Sequence, residues 1–172
     1  MRTGYSLGDV YYAEETATFD QAAFAKWAQE MNANTIDEFR KNRGRVAAFS
    51  EGPLQPLLFT HTGRKSGKSY TTPIVHMKAG DRYVIIASMG GSPVNPQWFH
   101  NIVANPIVVL EVADERFTAR ARVAEGAERD ELFAMMAAVA PEFERYSHRT
   151  TRMFPVVAFE RVDATPALAA AE

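Results

Sequence analysis

Two glycine-bearing loops hold the residues of this chain best suited to chemistry. The first is Thr62-Gly63-Arg64-Lys65-Ser66-Gly67-Lys68-Ser69, with three cations beside two glycines. Backbone N–H groups in such a turn, joined by a guanidinium and ammonium groups, suit a phosphate or another anion. A basic hairpin tip in solvent would have the same composition, and the residues alone leave both readings open. The second loop is Ala87-Ser88-Met89-Gly90-Gly91-Ser92-Pro93. Its glycines allow a flat ring to approach the backbone closely, and they equally suit a turn that ends a strand.

The first loop comes close to a nucleotide P-loop but is not one. Three residues separate its glycines where the motif needs four, and Tyr70-Thr71-Thr72 opens a strand where a P-loop opens a helix. His61, His76, His100 and His148 lack the spacing of a metal site, so no metal is expected. His61 and His76 read as structural, whereas His100 and His148 are weak acid–base candidates. The acids are scattered, and no Gly-x-Ser-x-Gly elbow is present, which leaves little support for a hydrolase. Trp98 could stack on a ligand, although an indole at such a position more often fills a core.

The elements that must position these loops are mostly strands. Asp20 caps a helix over 20–43, with Phe24, Trp27, Ala28 and Met31 on one face, Ile36 and Phe39 after a possible restart at Asn34 or Thr35, and Gly44 as its stop. Strands are expected at Leu57–Phe59, Tyr70–Met77, Arg82–Ser88, Ile107–Ala113, Phe117–Val123 and Phe154–Val162. Pro73 must lie at an edge or bulge because it cannot donate to a ladder. Ala79-Gly80-Asp81 and Asp114-Glu115 read as turns. A short helix follows Pro96 and ends at Asn105-Pro106. A second helix spans Glu128–Val139, with Leu132, Phe133, Met136 and Val139 inward. Phe143, Tyr146 and His148 fall in an irregular polar segment. The fold expected is mainly β with flanking helices, a split β-barrel of about six mostly antiparallel strands joined by short hairpins.

At 172 residues the chain reads as one domain: an arm over 1–18, a core over 19–162 and a disordered tail over 163–172. The arm, with Tyr5, Tyr11 and Tyr12, either packs on the body or acts as a flap. A net charge of −2 argues against general nucleic-acid binding, so any basic site is local. The absence of cysteine excludes disulfides and thiol nucleophiles and fits a cytoplasmic protein. No apolar run reaches the length of a spanning helix and no signal peptide is evident, while peripheral membrane contact stays open. Arg40, Lys41, Arg43 and Arg45 cluster at the end of the first helix, either as a solvated face or as a second contribution to an anion site.

Taken together, the motifs do more than either loop alone. T-G-R-K-S-G is followed about twenty residues later by S-x-G-G-x-P, then by N-P-x-W-F-x-N and A-N-P, with I-D-E-F-R-x-N ahead of them. This order resembles the deazaflavin-dependent nitroreductase family, also described as a nitroreductase/quinone reductase family, over roughly Ile36 to Val162. The resemblance implies a split barrel binding coenzyme F-420 (8-hydroxy-5-deazaflavin), with the reduced form as hydride donor. It implies that Arg64 and Lys65, in the loop with Gly63, Ser66 and Gly67, meet the cofactor's phosphate and oligoglutamate tail. It sets Ser88, Met89, Gly90 and Gly91 beside the ring, and Tyr70, Pro73, Val75, Gln97 and Trp98 near the cofactor. Phe143 and Tyr146 would line the substrate pocket, with Tyr146 or Ser88 as proton donor. The chain departs from the family where Met89 and Tyr70 stand at positions that often carry Lys and Arg; Arg40, Lys41, Arg43, Arg45 or Lys68 would then compensate. The implied activity is hydride transfer to a flat electrophile such as a quinone, nitroaromatic or α,β-unsaturated carbonyl, by a monomer or homodimer. An FMN-dependent oxidoreductase on the same barrel and a non-catalytic carrier are the alternatives.

Overall fold

The computed structural model describes residues 20–162. The arm at 1–18 and the tail at 163–172 lie outside the described residues. Six strands form a closed antiparallel barrel in the order β1-β2-β3-β6-β5-β4, comprising β1 (Gln55–Thr62), β2 (Ser69–Ala79), β3 (Arg82–Ile86), β4 (Ile107–Val112), β5 (Glu115–Val123) and β6 (Val156–Arg161). The helices are α1 (Gln21–Lys41), α2 (Gln97–Ala104), α3 (Gly126–Val139) and α4 (Glu142–Ser147).

Alternation along the strands builds two cores from one sheet. Leu57, Phe59, Tyr83, Ile85, Val157 and Phe159 turn into the barrel. Their neighbours Val84, Ile86, Val156 and Ala158 turn outward and are covered by Leu132 and Met136 of α3 and by Phe143 and Tyr146 of α4. Leu58 also faces outward, where Phe39 of α1 and Val46 cover it. Each such fully buried side chain contributes roughly 2 kcal/mol. Strands buried on both faces read as continuous apolar runs, which is why β1 and β3 lack a polar alternation.

The expected turns are present. Asp20 accepts from Ala23 N at 3.0 Å and caps α1, which runs unbroken past Asn34 and Thr35 instead of restarting there. Gly80 takes the left-handed conformation of the β2–β3 hairpin at φ +62°. The β4–β5 turn centres on Ala113-Asp114, since Val112 already pairs with Glu115. Pro73 sits opposite Leu58 on β1, while β2 pairs with β3 only through Met77–Ala79. Among the described strands the N-terminal two-thirds of β2 therefore keeps one unpaired edge, and the missing proline N–H disrupts no ladder on that side.

Two expectations fail. Phe143 and Tyr146 lie on a helix, α4, and not in an irregular segment. Their three-residue spacing puts both inward and buried, while Glu144 and Arg145 stay in solvent. Val139 is 44% exposed. The buried stripe of α3 instead continues as Leu132, Met136 and Ala140, a four-residue spacing that drifts away from Val139 at the helix end.

Candidate functional site

Both loops leave the same end of the barrel. β1 and β3 each run antiparallel to β2, so their C-terminal ends point the same way, and each ends in one of the two loops. α2 joins them, because the second loop leads through Pro96 into α2, and Asn101 of α2 reaches the first loop.

The first loop is a compact turn with outward cations. Gly63 N donates to Lys68 O at 2.8 Å, and Gly67 N donates to Gly63 O at 2.9 Å. Gly67 is left-handed at φ +68°. A Cβ on Gly63 would lie 2.5 Å from Ser66 Oγ and 2.7 Å from the Tyr70 ring, so both side chains would have to shift to admit one. Ser66 Oγ and Tyr70 Oη lie 3.1 Å apart, and the Tyr70 ring stacks on His61. Tyr70 thus braces the loop from beneath. Arg64, Lys65 and Lys68 are exposed, with no ion pair among the described residues.

A polar chain anchors that loop to the barrel. Arg64 N donates to Asn101 Oδ1 at 3.0 Å, which fixes the amide orientation. Asn101 Nδ2 then faces His61 Nδ1 at 3.3 Å, and His61 Nε2 faces Thr72 Oγ1 at 3.0 Å. His61 accepts at Nδ1, so its proton sits on Nε2 and the ring is neutral. Burial lowers its pKa to about 4. His61 is therefore structural, as its sequence context suggests.

The second loop is buried and tied down. Met89, Gly90 and Gly91 are all left-handed, at φ +47°, +63° and +90°. Such a conformation is costly for a methionine, and strain of this kind collects at functional sites. A Cβ on Gly91 would lie 2.9 Å from Tyr146 O, whereas one on Gly90 would meet nothing within 4 Å. The loop thus packs on α4 through Gly91 and, among the described residues, leaves open space beside Gly90. Arg152 donates to Ser92 O, Ala87 O and Ser88 O at 2.9, 3.0 and 2.9 Å, and to Asn95 Oδ1. Arg149 reaches Gly90 O at 3.4 Å, and its guanidinium lies over the Tyr146 ring.

The structure gathers most of the predicted residues but not all. Val75, Phe143 and Tyr146 join one cluster beside the second loop, where Ser88 is buried. Gln97 is exposed at the first turn of α2. Trp98 is half-buried and packs edge-on against Phe59, with ring centroids 5.2 Å apart, at the side of the barrel-core cluster. His100 packs against Phe99, and His148 is exposed at the end of α4.

The basic residues at the end of α1 do not stand in for the missing cations. Gly44 packs on Ala113 in the β4–β5 turn, at the end of the barrel where β1 begins. That end is roughly 23 Å from the first loop, the length of the eight-residue strand β1. Arg40 is bound there by Glu111 at 3.0 and 2.8 Å. Lys41, Arg43 and Arg45 line a groove of about 1270 Å³ with Gln55, His76 and Asp114, remote from both loops. Of the proposed substitutes for the missing cations, Lys68 alone belongs to the first loop.

Asn95, Asn101, Arg149 and Arg152 were not among the predicted site residues. The signal for the two asparagines was available, because they open and close the N-P-x-W-F-x-N motif. Each secures one loop.

Comparison with known proteins gives the family. The model of the family described as F420H(2)-dependent quinone reductase matches residues 30–161. An F420H(2)-dependent quinone reductase of Mycobacterium tuberculosis is 34% identical over 128 residues, 72% of this chain and 85% of that protein. Among solved structures, an F420-H2 dependent reductase (FDR-A) is similar at a TM-score of 0.57 and 35% identity, over 61% of this chain and 93% of that one. A domain-swapped dimer is similar at a TM-score of 0.59 and 32% identity, over 79% and 98%. HutZ of Vibrio cholerae, at a TM-score of 0.50 and 16% identity over 75% of this chain and 89% of that one, shares the fold. The match covers the first loop, the second loop, both anchoring asparagines and Tyr146, and the chain belongs to the F420H(2)-dependent quinone reductase family of oxidoreductases.

Proposed function

We propose that this protein reduces a quinone or a comparably flat electrophile with hydride from reduced coenzyme F-420, and that the two loops form the cofactor seat. The observation that carries this reading is the exit of both loops from one barrel end, one with free cations and the other with open space beside a bare glycine backbone. Arg64, Lys65 and Lys68 would meet the anionic phosphate and tail, with Gly63, Ser66, Gly67 and Tyr70 shaping the turn that presents them. Ser88, Met89, Gly90 and Gly91 would border the ring, with Pro73, Val75 and Gln97 nearby. The bound cofactor supplies the hydride.

The remaining work falls to the chain's own groups. They hold ring and substrate face to face, limit water, and provide a proton to the reduced substrate. Phe143 and Tyr146 give the apolar wall. Tyr146 Oη or Ser88 Oγ would supply the proton. Tyr146 is buried beside the second loop, with the Arg149 guanidinium over its ring, a setting that favours a fixed ring position. The reading goes with a cytoplasmic setting and with a single domain, monomeric or homodimeric, acting on a small molecule.

The test is a fluorescence titration with oxidised coenzyme F-420, followed by anaerobic oxidation of the reduced form across quinones, nitroaromatics and unsaturated carbonyls. Binding with quinone turnover is expected. A protein that binds FMN and ignores reduced coenzyme F-420 would overturn the reading. Tight binding without turnover on any electron acceptor would make it a carrier. Tyr146→Phe is expected to slow turnover while leaving cofactor affinity intact; unchanged turnover would remove Tyr146 as the obligatory proton donor.

A further inference from the structure

We infer that Arg152 is a positioning residue for the cofactor ring, one that sets which backbone groups of the second loop face the ligand. The inference rests on the reading that this loop borders the ring.

A single guanidinium makes four hydrogen bonds to one nine-residue stretch. Nε donates to Ser92 O, Nη1 to Ala87 O and Asn95 Oδ1, and Nη2 to Ser88 O. Its stem is fixed from the other side, with the guanidinium over the buried Phe154 ring at 4.7 Å and its own N–H reaching Thr150 Oγ1 at 3.2 Å. Arg152 stands 57 to 65 residues from its partners in sequence, so it joins the segment after α4 to the loop after β3. Only a planar fork with five donors can serve carbonyls set around it in this way; an ammonium is a point donor on a longer tether.

Peptide geometry turns this clamp into recognition. Every described peptide is trans, so the C=O and N–H of one peptide point in opposite directions. The carbonyls of Ala87 and Ser88 point at Arg152. The N–H groups of the same two peptides, those of Ser88 and Met89, therefore point away from it. Neither is used in the loop's own turn, whose bonds run from Gly91 N to Ser88 O and from Ser92 N to Met89 O. Two consecutive donors are thus held toward the side opposite Arg152, next to a residue, Gly90, whose flank is open among the described residues. A planar heterocycle with carbonyl oxygens on its edge is the ligand such a pair accepts. Met89 itself is left-handed, and Arg152 holds the carbonyl that precedes it, Ser88 O.

The experiment compares Arg152→Lys and Arg152→Ala with the wild-type protein and with an Arg64→Ala/Lys65→Ala variant. The readouts are coenzyme F-420 affinity by fluorescence, KM for the reduced cofactor and for quinone, and near-UV circular dichroism. Arg152→Lys is expected to weaken cofactor binding about tenfold or more, to raise KM for the cofactor, and to leave KM for quinone nearly unchanged. Methylguanidinium added to Arg152→Ala is expected to restore cofactor affinity, whereas methylammonium is not. Wild-type affinity in Arg152→Lys, with affinity lost in the Arg64/Lys65 variant, overturns the role of Arg152 while sparing the loop reading. Affinity lost only in step with the near-UV signal, without recovery by methylguanidinium, overturns it in favour of a purely structural arginine. Failure of the wild type to bind the cofactor sinks the loop reading itself.

Discussion

The two loops use arginine in opposite ways. In the first, Arg64 faces solvent and, among the described residues, only its backbone N–H is engaged, by Asn101. In the second, Arg152 turns its whole guanidinium into the protein and binds three carbonyls. An outward cation gives long-range attraction for an anion that salt can screen. An inward one gives fixed geometry that salt affects little. The proposed seat, for a molecule with a charged tail and a flat ring, needs both, and α2 lies between them, with Asn101 bound to Arg64 N–H and Asn95, just ahead of the helix, bound to Arg152.

The comparison breaks most visibly at the glycines. Gly91→Ala is expected to cost roughly 2–4 kcal/mol, because φ is +90° and the new methyl meets Tyr146 O and Arg149. Gly67→Ala, equally left-handed but with nothing within 4 Å, is expected to cost about 1 kcal/mol. Chemical denaturation of both variants measures the gap, and equal losses would show that the second loop is no more tightly packed than the first.

Next comes the anchor of the first loop. Asn101→Ala leaves the Arg64 N–H and His61 Nδ1 without a partner and is expected to cost about 1–3 kcal/mol. It should also weaken cofactor binding, whereas Asn101→Asp keeps an acceptor for Arg64 N–H and should lose less.

A pH titration sharpens the same point. The His61 pKa is about 4 when folded, below its ordinary value of 6.5. The unfolded chain therefore takes up the proton first. Stability from neutral His61 is fully present above pH 6.5 and is lost as pH falls through that window toward 4. Glu128, held at about 2 chiefly by Arg122 and then by Arg82, loses its contribution at lower pH, between its ordinary 4.5 and 2. Denaturation midpoints from pH 7 to 3 should show the histidine part first, and His61→Gln should reduce it, leaving the part from His76, whose pKa burial also lowers. A profile that is flat down to pH 4.5 in the wild type would contradict the buried neutral ring.

The smallest effect on stability belongs to the outward cations. Arg64→Ala/Lys65→Ala is expected to change stability by no more than about 0.5 kcal/mol. Its effect falls on binding, with weaker coenzyme F-420 affinity and a shallower dependence on ionic strength. Unchanged affinity would remove these residues from the cofactor seat.

Much of this was legible in advance because it is local. Glycine and proline mark the turns, and apolar runs mark strands buried on both faces. The motif order that carries the family resemblance also carries Asn95 and Asn101, although their separate duties were not readable. α4 was not legible. Six residues carrying three charges give little periodic signal, and only the packing of Phe143 and Tyr146 on the outer sheet face makes them helical. The basic run from Arg40 to Arg45 misled for the related reason that nearness in sequence to other cations says nothing about which barrel end a helix terminus reaches.

Residue types and their order were enough for the strand-rich architecture, the two glycine loops, the lack of thiol chemistry and the family. These depend on residue type and short-range spacing, which a linear chain records directly. The tertiary structure alone decided which cations share a barrel end with the first loop, that His61 is neutral, and that Arg152 orients the second. Each of those is a contact across the fold, 37 to 65 residues apart in the chain where a hydrogen bond makes it, or a burial that lowers a pKa. Such contacts exist only once barrel closure brings distant segments together.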